Sequence, residues 1–495
     1  MRPSAARLLL LVLLGASFVF HSLFIAHSEL DLFPDEAQYW DWSRLPDWGY
    51  YSKPPLIAWT ILASRQLVGR DTPVAIRLPA VVAGTASTLL VYRFASLVGG
   101  GPAAGLVAAV AFRLMPLTAS ESVAFTTDSL LILFWVLSAI FLYRAVVQEK
   151  REAWIGAGLA LGLGLLSKYS MLIFLTWVVG AACAARARGG LRGHGRWVAA
   201  GAGLALLAFV PPLVWNARHD WASFWHVAAN AGKPGHLGAS GLATAGEFLG
   251  SQLGIVTPVL CCGIVWALVR CFRERSPTDV FLLWGVLPMF AMYVPASLIG
   301  RSEANWPAAA YIAGLAAFAR HARPRLVAAA LIAALPFTIL AYDFDLVHGL
   351  GLGLKPKQDP TTRMRGWKEL GLAVGTELAK LPVAARPFVL GDSYQSTAEL
   401  AFYVPGRPRA YCADIGRRRC QYDYWPGFDR FLGRDAVYAT EGDIPRPHHI
   451  LRRAFQSYER APTFVYTRRD REWRTFSVFV LHGFRGIEPP GYEDY

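Results

Sequence analysis

Residues 35–56 read DEAQYWDWSRLPDWGYYSKPPL and follow closely on an apolar run that ends near Ala26. The stretch sets two adjacent carboxylates, Asp35 and Glu36, and one lysine, Lys53, among Tyr39, Trp40, Trp42, Trp48, Tyr50 and Tyr51. Tyrosine and tryptophan settle at the headgroup level of a bilayer, whereas charge this close to hydrocarbon is costly unless it is paired or does chemistry. The stretch therefore reads as a membrane-surface loop and as the reactive centre. Each part also has a plainer reading. Pro34, Asp35 and Glu36 suit the first turn of a helix capped by Asp31, and most of the aromatic residues suit an interfacial belt.

The rest of the chain agrees with a membrane setting. Of its 495 residues 54% are hydrophobic and 17% charged, against roughly a quarter charged in soluble domains. The net charge of +14 does not imply nucleic acid, because the basic residues punctuate apolar segments instead of forming one face. Arg2 and Arg7, Arg144 to Arg151, Arg186 to Arg196, Arg270 to Arg275 and Arg320 to Arg325 fall at alternate segment ends. By the positive-inside rule these clusters predict a cytoplasmic amino terminus and place the Asp35 loop on the far side.

Leu8 to Ala26 reads as a retained anchor, since its apolar run exceeds a typical signal-peptide core. Further spans are expected at Val74–Val98, Ala103–Ala119, Asp128–Val147, Ala153–Leu166, Tyr169–Ala185, Trp197–Leu213, Gly250–Val269, Val280–Leu298, Ala308–Ala319 and Leu326–Tyr342. This makes roughly eleven helices by the 20-residue criterion, and leaves the carboxyl end outside. Gly156 to Gly164 reads as close helix packing, because a nucleotide-binding loop needs a preceding strand that is missing here. The chain divides into a membrane domain, 1–342, with its first external loop at 29–72, and a polar segment, 343–495. That segment is expected to form a small α/β domain, with strands at Pro387–Leu390, Val437–Thr440, Thr463–Tyr466 and Thr475–Leu481. Cys412 and Cys420 bracket an Arg-rich turn there, and an oxidising compartment would allow them to pair.

Other polar residues gather at external span ends. Asp128, after Thr126 and Thr127, begins a span that follows a short loop carrying Glu121; locally it complements the helix dipole. Ser167, Lys168 and Tyr169 interrupt an apolar stretch, where Lys168 either snorkels or contacts a phosphate. Arg218 and His219 lie in a polar, aromatic loop after Leu213. His219 and His226 raise a metal question there, which the lack of ligand-like spacing disfavours. In GRSEANWP, residues 300–307, Arg301 either pairs with Glu303 or meets a phosphate, while Asn305 and Trp306 stand at the next span.

Taken together, the acidic pair, the aromatic run and Lys53 ahead of Pro54 and Pro55 resemble the first extracytoplasmic loop of the GT-C membrane glycosyltransferases. These are related to protein O-mannosyltransferases and lipid A aminoarabinose transferases, and the likeness is strongest to the bacterial branch with the lipopolysaccharide-core galacturonosyltransferases. Thr127-Asp128, the segment Gly162 to Ser170 and Glu303-x-Asn305-Trp306-Pro307 are similar to further motifs of that family. The resemblance implies a GT-C fold, a bacterial inner-membrane location and a periplasmic carboxyl-terminal domain. It also implies an inverting transfer of sugar from a polyprenyl-phosphate donor to an envelope glycolipid or protein. In that scheme Asp35 is the base, Glu36 orients it or meets the sugar, and Asp128 lines the same cavity. Lys53, Arg301 and Lys168 meet phosphate; Tyr50, Tyr51, Tyr169, Arg218, His219, Glu303, Asn305 and Trp306 contact substrate. No cofactor is required. The rival reading from another class is a transporter or flippase of lipid-linked glycans, which predicts paired charges at midmembrane depth.

Overall fold

Long apolar windows satisfy their backbone hydrogen bonds internally, the condition for crossing a bilayer, and the computed structural model forms helices at each of them. The structure describes residues 3–231, 239–300, 302–349, 351 and 355–487. The amino-terminal part consists of α1 (Pro3–His27), α2 (Pro34–Arg44), α3 (Leu56–Val68), α4 (Pro73–Gly99), α5 (Pro102–Arg113), α6 (Pro116–Ser120), α7 (Thr127–Val146) and α8 (Ala153–Ser167). A 3-10 turn at Tyr169–Ile173 leads into α9 (Phe174–Arg186), then α10 (Gly195–Arg218), α11 (Ala222–Ala231), α12 (Ala239–Val256) and α13 (Pro258–Glu274). The helices α14 (Pro277–Trp284), α15 (Leu287–Ile299), α16 (Ala310–His321) and α17 (Pro324–Tyr342) complete the bundle.

Among the described residues seven helices are long and apolar enough to cross a membrane, and a bent pair supplies an eighth. The expected span Gly250–Val269 is not one rod: α12 and α13 meet at 104°. Thr257 there has φ +83°, and Pro258 opens α13. Proline lacks the N–H that would continue α12, which explains the break. Likewise Pro116 divides the expected Ala103–Ala119 segment into α5 and α6.

Beyond α17 come α18 (Asp345–Gly349), α19 (Trp367–Lys380), α20 (Tyr394–Tyr403) and α21 (His449–Ala454), with strands β1 (Phe388–Gly391), β2 (Ala410–Cys412), β3 (Ala436–Glu441), β4 (Phe455–Arg460), β5 (Phe464–Arg468) and β6 (Arg471–Phe484). The sheet runs β2-β1-β3-β6-β4, with β5 also on β6. The central β1 is parallel to β2 and β3, whereas β6 is antiparallel to its neighbours. Alternation sorts its side chains: Val389, Val437 and Val478 face α19 and α20, whereas Phe388, Tyr438 and Phe479 join a second core with Phe431 and Leu451.

The core that holds Val389 and Val437 also holds Leu32, Trp40, Trp42 and Tyr50, and reaches Ile76 of α4 and Leu130 of α7. The stretch after α1 is therefore wedged between the bundle and the sheet. This corrects the expected aromatic belt. Tyr39, Trp40, Trp42, Tyr50 and Tyr51 are buried, while Trp48 stays half exposed. Tyr50 stacks on Trp42 with ring centroids 4.5 Å apart, and Trp40 meets Phe402 of α20 edge-on at 4.9 Å. Gly49 lies so close to Trp215 that a Cβ would stand 2.9 Å from its Cβ and Cγ, so this approach requires glycine.

Candidate functional site

Pro34 at the first helical position and the Glu36 carboxylate, which accepts the Phe33 N–H at 2.9 Å, fix the start of α2. Asp31 does not cap this helix. It accepts the Trp367 N–H at 2.8 Å and so caps α19, in the carboxyl-terminal part. Adjacent residues on a helix project about 100° apart, so Asp35 and Glu36 face different surroundings.

Glu36 turns into the bundle. Its oxygens lie 3.0 Å from Nη2 and 3.2 Å from Nε of Arg77 on α4, and accept the Phe125 N–H at 3.0 Å. Arg77 in turn donates to the Asp31 and Leu30 carbonyls at 2.6 and 3.2 Å. Every strong donor near Glu36 is thereby used, and the side chain is fully buried. The structure places Glu36 as a pin joining α2, α4 and the start of α7, away from the Asp35 cavity.

Asp35 faces the other way, into a polar cavity of 270 Å³ that Tyr39, Tyr51, Lys53, Tyr394, Arg418 and Arg419 also line. Burial raises the Asp35 carboxyl above the usual range, against the pull of Lys53, Arg363 and a hydrogen bond from Tyr394. Lys53 is pushed the opposite way, first by burial and then by the charge of Lys168, while Asp35 and Asp128 hold it up. A base of raised proton affinity thus stands beside an ammonium that has little water to shield it.

A second cluster lies at the same ends of the spanning helices. Thr126 caps α7 by accepting the Asp128 N–H at 3.0 Å. The Asp128 carboxylate accepts from Lys168 Nζ at 2.8 and 2.9 Å and from Asn305 Nδ2 at 2.8 Å. Beside it Glu121 accepts from Thr126 and Ser129 at 2.5 and 3.0 Å, and burial with the Asp128 charge pushes its carboxyl up to about 8. Lys168 is committed to Asp128 here, which leaves Lys53 as the lysine that opens into the Asp35 cavity.

The remaining expected contacts scatter. Tyr51 lines the cavity, its ring edge-on to His226 at 4.7 Å. Tyr50 is locked beneath the loop, its hydroxyl against the Trp42 carbonyl at 3.2 Å. Tyr169 packs on Phe209 and Phe224, with its hydroxyl 3.4 Å from Asn216 Nδ2. His219 stacks on Trp215 at 4.1 Å and binds the Trp215 carbonyl, and Arg218 is exposed at the end of α10. These roles follow from helix packing, which brings Tyr50, Tyr169 and His219 against apolar partners before any ligand is considered. Trp306 packs against Tyr293 at 5.5 Å, and Glu303 is exposed. Arg301 lies outside the described residues.

Sequence reasoning missed Tyr394, Arg363, Arg418 and Arg419, which reach the cavity or its charge from distant positions, and it raised His226, which also lines the cavity, only in connection with a metal. Arg418 donates to His226 Nδ1 at 2.8 Å, joining the turn after β2 to α11. The run Arg417-Arg418-Arg419 between two cysteines was the one signal available. Cys412 and Cys420 are both buried thiols in contact with each other. Among the described residues two triads bring metal-type ligand atoms within 4.8 Å, Cys271-Asp279-His321 and Asp345-His348-Asp359. In both, arginines already pair the acids: Arg320 with Asp279, and Arg365 and Arg468 with Asp345. Neither triad contains His219 or His226.

A bundle of spanning helices, an acid-bearing helix wedged on one end and a small mixed sheet closing over it define a GT-C-fold membrane protein. ArnT from Cupriavidus metallidurans has this fold: its apo crystal structure superposes with a TM-score of 0.65 at 18% identity, covering 95% of this chain and 97% of that one. The same protein bound to undecaprenyl phosphate gives 0.64 at 17% identity, with the same coverage of 95% and 97%. Residues 52–215 match the family described as dolichyl-phosphate-mannose-protein mannosyltransferase. Lipid A galacturonosyltransferase RgtD of Rhizobium johnstonii is 33% identical over 307 residues, 62% of this chain and 63% of that protein, so the match spans under two thirds of this relative's length.

The two neighbouring acids are expected to separate on mutation. Removing one partner of a buried ion pair costs about 3–5 kcal/mol, so Glu36→Ala should markedly lower the thermal midpoint in detergent. Asp35→Asn should leave that midpoint near wild type. Equal midpoints for Glu36→Ala and the parent protein would remove Glu36 from its structural role.

Proposed function

We propose that this chain is an inverting glycosyltransferase that moves a sugar from a polyprenyl-phosphate donor to an envelope glycolipid. The carrying observation is that Asp35 and Lys53, an acid of raised proton affinity and a poorly hydrated ammonium, line one polar cavity at the outer ends of the spanning helices. The relatives support both substrates: RgtD is named for transfer of galacturonate to lipid A, and ArnT binds undecaprenyl phosphate.

In this reading the acceptor hydroxyl gives its proton to Asp35 as its oxygen attacks the anomeric carbon. The bond from that carbon to the phosphate oxygen breaks, and the electron pair leaves with polyprenyl phosphate. Phosphate is a weak base, so the departing group needs positive charge, which Lys53 supplies, with Arg301 as a second cation from sequence. Asp128, held by Lys168 and Asn305, does not line this cavity as expected and acts on Lys53 through its charge alone. Arg418 and Arg419 offer planar donors to an acidic sugar.

Residues 1–342 serve as the transferase domain, with its catalytic loop at 29–72, and residues 343–495 as a periplasmic domain that closes the cavity. The amino terminus is cytoplasmic and the membrane is the bacterial inner membrane. The basic clusters at alternate span ends support this orientation. Cys412 and Cys420 then face an oxidising compartment and form a disulfide there; peptide mapping without reductant should recover them joined, and two alkylatable thiols from protein made in the periplasm would reject the bond.

General-base help is worth about 10²–10⁴-fold, so Asp35→Asn should lose at least that much turnover with purified donor and acceptor. Because burial raises the Asp35 carboxyl and only its ionised form accepts a proton, the acid limb of kcat/KM should lie above the ordinary carboxylate value of about 4. Full activity in Asp35→Asn, or a limb at the ordinary value, would assign the base elsewhere. Lys53→Ala should weaken transition-state charge neutralisation and raise the KM for donor by about tenfold or more. An unchanged donor KM and kcat would take Lys53 off the phosphate.

A further inference from the structure

At the opposite end of α2 lies a second, larger cavity of 1020 Å³ that shares no lining residue with the Asp35 cavity. Arg44, Arg65, Arg70 and Arg407 line it, with Asp71 the one acid in its wall. Arg65 spans Asp71, Nε to Oδ1 at 2.7 Å and Nη2 to Oδ2 at 3.1 Å, and Trp40 Nε1 donates to the same carboxylate at 3.0 Å. Asp71 is thus saturated. Arg44 lies over the Trp40 ring at 4.9 Å and reaches Asp41 at 3.2 Å, an acid that also accepts from Tyr422 at 2.9 Å. Arg407 donates to the Asp71 carbonyl at 2.6 Å, and Arg70 is exposed with no ion pair among the described residues. Four guanidiniums therefore face two shared carboxylates, and the cleft keeps an excess of positive charge.

Its depth in the bilayer follows from the chain. Gly69 to Thr72 connect the short apolar α3 to Pro73, the first residue of the spanning helix α4, so these arginines stand where hydrocarbon gives way to headgroups. Chain neighbours of the lining residues are apolar and open: Leu67, next to Gln66, is 84% exposed, and Leu45 and Val68, next to Arg44 and Gly69, are exposed as well. In water such a rim would be unfavourable, whereas beside acyl chains it is solvated.

We infer that this cleft binds the phosphate of a membrane lipid, with Arg70, Arg407 and Arg44 on the phosphate oxygens and Leu67 and Val68 against the acyl chains. Arginine forks suit phosphate, and cations at this level each contribute about 1 kcal/mol toward anionic lipid. Two sources share that chemistry, a phosphorylated glycolipid and a bilayer phosphodiester. Binding in this cleft is independent of the transferase reading.

Full-length protein in neutral detergent would be examined by native mass spectrometry with three probes: diphosphoryl lipid A, the same lipid stripped of phosphate, and phosphatidylglycerol. Retained adducts are expected with phosphorylated probes, reduced about tenfold or more in Arg70→Glu combined with Arg407→Gln, and preserved in Arg70→Lys. Adducts with diphosphoryl lipid A alone assign the cleft to a glycolipid; equal retention of phosphatidylglycerol assigns it to bilayer lipid. Phosphatidylglycerol offers no sugar as acceptor, so its adducts read the cleft apart from the transfer chemistry. Undiminished adducts in the double variant, or equal retention of the dephosphorylated probe, would overturn the inference. Size-exclusion elution of the double variant, together with the single Arg70→Glu protein, guards against misfolding as the cause of a loss.

Discussion

Everything at the α2 end of this bundle depends on one buried ion pair. Glu36 and Arg77 hold α2 against α4, and the same carboxylate reaches the backbone at Phe125 where α7 is about to begin. A buried charge pair is expensive to desolvate, and it persists here because nearly every lone pair and proton has a partner. In return, the first turn of α2 has a single position, which sets the direction in which Asp35 points. The acid that pins the helix orients the acid proposed to do the chemistry.

The carboxyl-terminal part is joined to the same helix from the other side. Asp31 caps α19, Tyr403 accepts the Leu32 N–H at 2.8 Å, and Tyr51 donates its N–H to Gln421 at 2.6 Å. With Trp40 and Trp42 inside the sheet's core, a shift of the sheet would move α2. A cavity between two such bodies excludes water on most sides, and that is why Asp35 and Lys53 are both moved toward their neutral forms. The low dielectric that makes each charge costly also strengthens its action on any charge brought beside it.

The two cavities divide the charge of this surface. Around Asp35 the cations stand opposite an acid and Lys168 is neutralised by Asp128, an arrangement suited to a reacting centre. The arginine cleft beside Gly69 to Thr72 has its acids shared and its apolar rim open, an arrangement suited to holding. The helix α2 carries a residue of each cavity, Asp35 near its start and Arg44 at its end.

Much of this protein was legible in its residues. The apolar windows predicted the spanning helices, because backbone in lipid has few alternatives, and strand and helix in the last third followed from alternation and turn signals. Asp35, Lys53, Asp128 and Lys168 were each found as charge out of place beside hydrocarbon. Local pattern could not separate Asp35 from Glu36, since both are first-turn acids and only Arg77, forty-one residues on, distinguishes them. Nor could it reveal that Asp31 serves α19, that the tryptophans are core, or that Tyr394, Arg418 and Arg419 enter the cavity. Those facts are contacts between segments hundreds of residues apart, and sequence encodes composition and period along the chain, whereas the direction of a side chain across a packed interface is decided by which surfaces bury each other.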